Sequence, residues 1–392
     1  MGVATRVAEW QIGGPGSICS VMNQFPKELM EGLPSPALVI LMKHVRSNIA
    51  RIIELCGAAD CWRPHVKTTK IPEVWELLLD AGVRRFKCAT PRELEHLGRL
   101  VREREISGVS ILVAFPHVGP TLELLDRVAG SFRELRVGML VEDPESAANL
   151  PETLEPWIDL NPGMDRTGIP LDDRDRVLAT ALAAGRRLVG ISVYDGHLHM
   201  ADQEQRRSAV HDCYQRTVNL LKEIRERAPN MKEVVSAGTP TFQAALSFEG
   251  FMKEGLLHTV SPGTVVFHDL RSKEENPGLE LLPAALVLTR VISHPRENHF
   301  TCDAGSKALA AEAGDPCATV QGQAQYQAMS PSEEHLPFVV NEGATPERGQ
   351  ALLLVPRHVC PTVNLHEEAV LVEADGSMRT VPVAARAHAP WS

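Results

Sequence analysis

The sequence of 392 residues contains no long apolar run, no excess of positive charge and no pair of cysteines at Cys-x-x-Cys spacing. Its apolar segments, such as Ile111 to Pro116 and Ala284 to Leu288, are far shorter than the ~20 residues that a membrane-spanning helix needs. The formal net charge is −10, whereas recognition of a nucleic-acid backbone needs a basic face. We therefore expect neither membrane nor nucleic-acid binding, and a small polar molecule is the natural partner.

The cysteines do not form a disulfide pattern. Eight of them are scattered along the chain, a distribution typical of a reducing compartment. No apolar signal-peptide core follows Met1. These features predict a cytoplasmic, or more broadly intracellular, protein and leave organelle targeting open.

Over the first two thirds of the chain, short apolar runs alternate with amphipathic stretches of helical length. Leu38 to Met42 precedes the helical pattern Val45 to Leu55, and Phe86 to Ala89 precedes Pro91 to Val101. About eight such strands separated by helices predict a (β/α)8 barrel of the TIM type over residues 33–270. A doubly wound α/β sheet is the alternative.

The last third of the chain has a different pattern. Apolar runs of strand length are joined there by turns rich in glycine and proline, with little helical periodicity. These runs are Ala284 to Ile292, Phe300 to Asp303, Ala351 to Val355, Ala369 to Glu373 and Thr380 to Ala384. The pattern predicts a second, mainly β domain of residues 271–392, to which residues 1–32 are assigned because they do not fit the barrel rhythm.

A cationic segment, Arg63-Pro64-His65-Val66-Lys67, lies at an early predicted strand. Side chains at i, i+2 and i+4 of a strand share one face, so Arg63, His65 and Lys67 are expected to point into the barrel. A lysine that is desolvated beside other cations has a lowered pKa and can form a Schiff base with an aldehyde. Taken alone, the segment is equally compatible with solvated loop lysines.

Two loops of small residues follow two late predicted strands. They are Ser236-Ala237-Gly238-Thr239-Pro240-Thr241 and Ser261-Pro262-Gly263-Thr264. Free backbone amides at consecutive late strand ends are typical of phosphate sites in such barrels. Either loop alone is compatible with an ordinary turn, but together with an inward lysine they predict a phosphorylated aldehyde cofactor, pyridoxal 5′-phosphate (PLP).

Two further polar segments end predicted strands. Arg166 is a candidate to hydrogen-bond the phenolic oxygen of the cofactor, and Tyr194 is a candidate to meet its ring or ring nitrogen. His197 and His199 follow at i, i+2 spacing. Such a pair suits proton transfer, metal ligation or an exposed surface, and the spacing alone does not choose among them.

His358 and Cys360 follow the apolar run Leu352 to Val355. On one face of a strand, an imidazole and a thiolate would converge on one point. Two ligands leave coordination positions open for water and substrate, which is the arrangement of catalytic metal sites. By itself, His-x-Cys is a weak indicator of metal binding.

In chain order, six motifs resemble fold-type III PLP enzymes of the D-threonine aldolase and eukaryotic-type D-serine dehydratase family. They are Pro36-Ala37-Leu38-Val39, Arg63-Pro64-His65-Val66-Lys67-Thr68, Met164-Asp165-Arg166-Thr167-Gly168-Ile169, Ser236-Ala237-Gly238-Thr239-Pro240-Thr241, Ser261-Pro262-Gly263-Thr264 and His358-Val359-Cys360-Pro361-Thr362. The resemblance covers about residues 33 to 385. Each motif is weak alone, and their order makes the set specific.

The resemblance implies an alanine-racemase-like barrel with a β domain, and a homodimer whose active sites lie near the subunit interface. It assigns Lys67 as the lysine that binds PLP, and His358 and Cys360 as ligands of a divalent metal (Mn, Mg or Zn). It places Arg166 at the phenolic oxygen and Tyr194 at the pyridine ring. The residues that it places at the phosphate are Ser236, Gly238, Thr239, Gly263 and Thr264.

Some positions depart from the family pattern. Thr69 stands where a histidine is common after the lysine, and Val266 and His268 stand where aromatic residues are common. These departures leave the cofactor assignment intact, and they leave substrate preference and the proton-transfer group open.

These expectations combine into a metal-assisted, PLP-dependent D-threonine aldolase, which cleaves D-3-hydroxy-α-amino acids to glycine and an aldehyde. His65, His197 and His199 are the candidate bases for the substrate hydroxyl. A D-serine dehydratase, giving pyruvate and ammonia, needs the same lysine and metal and is the alternative. A non-catalytic PLP-binding protein is disfavoured by the additional domain that carries His358 and Cys360.

Overall fold

The computed structural model of the protein describes residue 30 and residues 32–388. In chain order the strands are β1 (Ala37–Leu41), β2 (Arg85–Cys88), β3 (Ser110–Val113), β4 (Arg136–Val141), β5 (Glu155–Asn161), β6 (Ile169–Pro170), β7 (Gly190–Val193), β8 (Glu233–Ser236), β9 (Leu257–Val260), β10 (Ala285–Ser293), β11 (His299–Cys302), β12 (Ala318–Val320), β13 (Tyr326–Ala328), β14 (Leu336–Val340), β15 (Ala351–Pro356), β16 (Glu368–Val372) and β17 (Met378–Pro382). The α-helices that follow β1 are α1 (Met42–Cys56), α2 (Pro72–Asp80), α3 (Pro91–Glu103), α4 (Gly119–Ser131), α5 (Pro144–Ala148), α6 (Arg174–Ala184), α7 (Gln203–Arg227), α8 (Phe242–Leu246), α9 (Gly250–Lys253), α10 (Leu270–Glu275) and α11 (Val359–Leu365).

The strands β2 to β9 form a parallel sheet in the order β2-β3-β4-β5-β7-β8-β9, with the two-residue β6 beside β5. The irregular segment 62–66 joins its two edges. The Arg63 N–H donates to the Val260 carbonyl over 2.8 Å, and the Val66 N–H donates to the Lys87 carbonyl over 2.8 Å. The sheet therefore closes into a ring of eight segments, which confirms the predicted (β/α)8 barrel and excludes the doubly wound alternative.

Trp157 fills the middle of the barrel interior. Its ring packs with one inward residue from each of three other strands, Leu112, Leu140 and Val235. A Cβ at Gly138 would lie 2.6 Å from Trp157 Nε1, and a Cβ at Gly190 would lie 2.6 Å from the same ring, so glycine at these two positions makes room for the indole. This apolar layer separates the two ends of the interior.

The N-terminal ends of the strands hold a buried cluster, the barrel floor, formed by Arg63, Glu233 and Ser110. Arg63 Nη2 lies 2.7 Å from Glu233 Oε2, and Arg63 Nη1 donates to Ser110 Oγ over 3.3 Å. The guanidinium also lies 5.0 Å from the centroid of the Trp157 ring. Arg63 thus points into the barrel, as its strand spacing predicts, but its charge is satisfied at the floor and not at the mouth.

The remaining strands form a second, mainly antiparallel sheet in the order β13-β14-β11-β10-β1-β16-β17, with β15 pairing with β10 and β12. The sequence predicts Leu38 to Met42 as a barrel strand, but β1 lies in this second sheet, antiparallel to β10 and parallel to β16. Val39 packs there with Leu288 and Val370. An apolar run of this length suits either sheet, and only the long-range pairing distinguishes them.

The predicted second, mainly β region is confirmed by this sheet. The sequence did not predict β12, β13 and β14, which are three to five residues long. The domain limits of 33–270 and of 1–32 plus 271–392 stay a prediction, and residues 1–29 and 31 lie outside the described part of the chain. In that described part, no helix combines the length and apolar character required to cross a membrane.

Candidate active site

Lys67 lies at the mouth of the barrel, in the turn that follows the closing segment 62–66. Its side chain is exposed, and its ammonium makes no hydrogen bond or ion pair with any described residue. Its charge helps to lower the pKa of His65, of Lys87 and of Cys360. The sequence predicts an inward, desolvated lysine at this position, but Lys67 lies in a turn with its side chain exposed at the mouth, because the closing segment ends before it.

His65 precedes Lys67 on the closing segment. Burial lowers the pKa of its imidazole well below the usual value, and the charges of Lys67, Lys87 and Lys70 act in the same direction. The neutral ring is bonded to backbone groups on two sides, since Nδ1 lies 3.3 Å from the Lys67 nitrogen and the ring also bonds the Lys87 carbonyl. These bonds make His65 a residue that fixes the turn at Lys67.

Arg166 and Tyr194 meet at the mouth, as the sequence predicts for two groups around one ring. The Arg166 guanidinium lies 4.7 Å from the centroid of the Tyr194 ring. Lys87 is a buried lysine that the sequence analysis did not identify as a site residue. Its Nζ lies 6.0 Å from the centroid of the same ring. We call Lys67, Lys87, Arg166 and Tyr194 the barrel mouth. The signal for Lys87 was available, because a lysine between Phe86 and Cys88 in an apolar strand must face the interior.

The two loops of small residues take different positions. Gly238 lies against Tyr194, because a Cβ there would be 3.2 Å from the phenol oxygen, and Thr239 is buried beside it. Gly263 packs on the closing segment so tightly that a Cβ would be 2.5 Å from the His65 carbonyl oxygen. Their backbone amides stay candidates for the phosphate.

The side chain of Ser236 does not join these loops. Its Oγ lies 2.7 Å from His258 Nε2, and His258 packs edge-on against Tyr214 of α7. Successive strand residues point to opposite faces, and Val235 faces the interior, so Ser236 faces the helix layer. The side chain of Ser236 therefore does not face the mouth, and the predicted place of this residue at the phosphate stays a prediction for its backbone.

Asp195 follows Tyr194 and is completely buried. Its carboxylate accepts hydrogen bonds from Thr241 Oγ1 over 2.6 Å and from the Tyr214 hydroxyl over 2.5 Å. Burial raises its pKa, and these two hydrogen bonds oppose the rise. The carboxylate therefore anchors the loop that contains Gly238 and does not face the mouth.

His197 and His199 separate in the structure. His199 is exposed, whereas His197 is half-buried and its Nδ1 is buried without a hydrogen-bond partner. A Cβ on Gly163 would lie 3.5 Å from His197 Nε2, so this ring borders the loop that carries Arg166. The structure brings His197 to the edge of the mouth and leaves His199 in solvent.

His358 and Cys360 do not lie on a strand face. His358 is the residue before α11, and Cys360 is in the first turn of that helix. Pro361 suits the first turn because no intrahelical partner is lost there. The two side chains nevertheless interact, because each one shifts the pKa of the other. The predicted pairing of imidazole and thiol thus occurs by a different local structure.

Buried groups hold this pair in place. Asp269 accepts the Val359 N–H over 3.0 Å and the Ser272 N–H over 2.8 Å, and so ties the start of α11 to the start of α10. Glu312, which the sequence reasoning missed, lies 2.5 Å from His358 Nδ1. The other nitrogen of the His358 ring is then available to interact with the Cys360 thiol.

The environment favours a charged pair. Burial lowers the pKa of His358, but its bond to Cys360 and the carboxylate of Glu312 outweigh that effect and raise the pKa to about 9. For Cys360, burial raises the pKa, and the bond to His358 and the charge of Lys67 prevail and lower it. The thiol therefore has thiolate character, which metal binding requires.

The pair fits a divalent metal with open positions. Within residues 32–388, no group of three or more His, Cys, Asp or Glu side chains converges as a closed metal site. One imidazole, one thiolate and a carboxylate behind the imidazole are the donor set of an open site with an oriented ligand. The Cys360 sulfur also lies 3.1 Å from Thr68 Oγ1 and 3.5 Å from Thr264 Oγ1.

The mouth also fits PLP. It offers an unpaired lysine at 67, cations from Lys87 and Arg166, and the phenol ring of Tyr194. Thr264, predicted at the phosphate, instead contacts the sulfur of Cys360 through its hydroxyl. Amine, aromatic ring and metal ligands are thus assembled at one end of the barrel.

Comparison with known proteins agrees with this architecture. The family model "Alanine racemase, N-terminal domain" matches residues 40–270, and "Putative serine dehydratase domain" matches residues 284–372. The chain is 26% identical to the D-threonine aldolase of an Arthrobacter species over 376 residues, covering 91% of this chain and 93% of that protein. It is also 26% identical to the D-threo-3-hydroxyaspartate dehydratase of a Delftia species, covering 89% and 96%.

A solved structure with the same fold is the D-threonine aldolase from Filomicrobium marinum, with a TM-score of 0.78, 24% identity, and coverage of 91% of this chain and 96% of that chain. The dehydratase matches at a TM-score of 0.71, in a cysteine variant described as metal-free. The predicted family is thereby confirmed. The chain belongs to the fold-type III PLP enzymes of the aldolase and dehydratase family, which join an alanine racemase N-terminal barrel to a serine dehydratase domain.

Proposed function

We propose that the protein is a metal-assisted lyase that cleaves D-3-hydroxy-α-amino acids to glycine and an aldehyde. One observation carries this proposal: the hydroxyl of Thr68, the residue after Lys67, lies 3.1 Å from the sulfur of Cys360, which interacts with His358. The amine that would bind the cofactor and the ligands that would bind the substrate hydroxyl therefore share one mouth. Two of the relatives named above are D-threonine aldolases, which supports this substrate class.

Different residues at the mouth would bind different parts of PLP. Lys67 would hold the aldehyde, Arg166 and Tyr194 would lie beside the ring, and the amides near Gly238 and Gly263 would bind the phosphate. When bound, PLP accepts the electron pair left on the α carbon after the carbon–carbon bond breaks. The hydrogen bond from Thr241 to Asp195 fixes the loop of Gly238 for this task.

His358 and Cys360 would hold a divalent metal. Such a metal lowers the pKa of a bound hydroxyl, which aldol cleavage requires. Glu312 accepts a hydrogen bond from His358 Nδ1, and a metal would bind the other ring nitrogen by displacing the proton that the raised pKa keeps there. The thiolate favours zinc by its softness, whereas harder ions such as manganese and magnesium suit the hydroxyl oxygen.

His197 is the group that we assign to the hydroxyl proton. Its Nδ1 has no partner, whereas the His65 ring is bonded to backbone groups and His199 is in solvent. An imidazole at the edge of the mouth can accept the proton directly or through one water.

Dehydration is the second candidate, because a relative with that activity shares the spacing of the proposed metal ligands. The D-threo-3-hydroxyaspartate dehydratase has been solved as variants of a histidine and of a cysteine two positions later, the second in a metal-free form. This is the spacing of His358 and Cys360. In that reaction the metal would assist loss of the hydroxyl, and pyruvate or another 2-oxo acid would be the product.

Product analysis separates the two reactions. The protein is loaded with PLP and with Mn²⁺, Mg²⁺ or Zn²⁺ in turn, and incubated with D-threonine, D-serine or L-threonine as the stereochemical control. Glycine and acetaldehyde from D-threonine support the aldolase. Pyruvate from D-serine without glycine from D-threonine overturns it in favour of the dehydratase. Uptake of PLP without turnover of any D-3-hydroxy acid would leave only a PLP-binding protein.

The expected homodimer is part of the same proposal. In this family arrangement the active sites lie near the subunit interface, so the oligomeric state affects whether the mouth is complete. Light scattering coupled to gel filtration measures it, and a monomer that turns over substrate would contradict it.

A further inference from the structure

Lys87 lies in the barrel interior and has no role in the mechanism proposed above. Its neighbours in β2, Phe86 and Cys88, belong to the core on the helix side, so Lys87 faces inward. Only 5% of the residue is exposed. Its ammonium forms no hydrogen bond or ion pair with any residue that the structure describes.

Charged and titratable groups approach Lys87 from several parts of the barrel. Asp159 faces it from β5 and Tyr194 from the end of β7, while Lys67 and His65 face it from the closing segment. The cations that complete this set are Arg63 and Arg166. Burial lowers the pKa of Lys87 to about 8, and the attraction of Asp159 opposes this effect without forming an ion pair.

A second unpartnered donor lies at the same level of the barrel. Ser192 is opposite Asp159 in the register of β7 and β5, and its buried Oγ has no hydrogen-bond partner among the described residues. The Asp159 carboxylate already accepts a hydrogen bond from Thr167 Oγ1 over 2.8 Å. A buried donor without an acceptor lowers the stability of the fold. We therefore expect a bound ligand to supply an acceptor in this part of the interior.

The chemistry of PLP indicates which ligand atom that is. Its aldehyde carbon and its phenolic oxygen are on adjacent ring carbons, so the oxygen lies beside whatever amine holds the aldehyde. His65, two residues before Lys67, forms a parallel bridge with Lys87. An amine on Lys67 therefore places the phenolic oxygen near the strand that carries Lys87.

We propose that Lys87 binds the phenolic oxygen of PLP as an anion, together with Arg166. Ser192 Oγ is a further donor toward the same interior. The ammonium of Lys87 gains the partner that it lacks, and two cations keep the phenolic oxygen ionised. This inference rests on the proposed function, since it concerns the cofactor that Lys67 would hold.

The test compares two cofactors in three proteins. Dissociation constants are measured for PLP and for 3-deoxypyridoxal 5′-phosphate, which lacks only the phenolic oxygen, with wild type, Lys87→Met and the control Lys70→Met. Lys70 is also a buried lysine, but it is paired with Glu93 at 2.7 Å. Lys87→Met is expected to weaken PLP binding about tenfold to a hundredfold, the effect of losing a charged hydrogen bond, and to leave the 3-deoxy analogue within about twofold.

Lys70→Met is expected to change the two dissociation constants by the same factor. Equal weakening of both cofactors by Lys87→Met overturns the inference, because the phenolic oxygen would then be irrelevant to Lys87. Unchanged PLP binding with a raised KM also overturns it, in favour of a contact to substrate. If Lys87→Met does not fold, Lys87→Gln is measured in its place. Failure of wild type to take up PLP at all would contradict the proposed function instead.

Discussion

The two ends of the barrel interior differ in whether their charged side chains have ion-pair partners. At the floor, Arg63 is paired with Glu233 at 2.7 Å and donates to Ser110, and both charged side chains are buried. At the mouth, Lys67 and Lys87 have no ion-pair partner among the described residues. Arg63 and Lys67 are only four residues apart in the sequence, so proximity along the chain does not explain the difference. We infer that a charge that stabilises the fold has its counter-charge within the chain, whereas a charge that binds a ligand receives its counter-charge from that ligand.

The largest effect is expected from Lys67→Ala at the mouth. Loss of the amine that we assign to the aldehyde should lower turnover by about a thousandfold or more while the protein stays folded. Borohydride reduction of the wild type with bound PLP, followed by peptide mapping, should place the label on residue 67. A label on Lys87 or Lys70, or undiminished turnover by the variant, would contradict the assignment.

At the floor, the expected effect is on stability. Glu233→Gln leaves the buried Arg63 without its counter-charge and should lower the free energy of unfolding by about 3–5 kcal/mol. The matched control is Glu155→Gln, which breaks a pair with the more exposed Arg136 and should cost less than about 1 kcal/mol. Denaturant unfolding measures both. Equal losses of stability in the two variants would mean that the buried pair of the floor contributes no more than the exposed pair.

The comparison is sharper when Lys87→Met is added to the same unfolding series. Because Lys87 has no ion pair to lose, replacing it with an apolar side chain should leave the stability of the cofactor-free protein unchanged or increased. A loss as large as that of Glu233→Gln would show that Lys87 is a structural charge. The distinction between floor and mouth would then fail.

A further prediction concerns how stability depends on pH. It involves His258, which lies outside the barrel interior. Burial lowers the pKa of His258 to about 4, so the unfolded chain takes up its proton more readily than the folded one. Stability should therefore be lost as the pH falls from about 6.5 to about 4, on the order of 3 kcal/mol for this group. Unfolding free energies measured across this range should fall less steeply in His258→Gln. An unchanged slope would exclude His258 as the cause.

The metal ligands give a smaller effect, on affinity. Glu312→Gln removes the negative charge behind His358 and should weaken metal binding about tenfold to a hundredfold. Calorimetric titration with Zn²⁺ and Mn²⁺ measures it. Lys307 offers a control, because Glu333→Gln alters an exposed pair with that lysine and should leave metal affinity unchanged. Weakening by Glu333→Gln of similar size would show a general electrostatic effect.

The sequence predicts the barrel because its strands alternate with helices, and this signal is local. It misplaces β1, since the apolar run Leu38 to Met42 suits either sheet and only pairing with β10 and β16 decides. His358 and Cys360 are predicted on one strand face but lie at the start of a helix, because the sequence pattern does not distinguish these two ways of bringing i and i+2 together. Lys87 was visible in the alternation of β2 and was overlooked because it belongs to no motif.

Ser236 shows the opposite error, a residue in a motif whose side chain faces away from the site. Its Oγ bonds His258 on the helix side of β8, while Val235 faces the interior. Ser236→Ala should therefore change the dissociation constant for PLP by less than about twofold, and should lower stability by about 1 kcal/mol through the lost hydrogen bond. Thr241→Ala is the informative comparison, because its hydroxyl ties the loop of Gly238 to Asp195. If Ser236→Ala weakens PLP binding as much as Thr241→Ala does, strand alternation is a poor guide to which side chains serve the site.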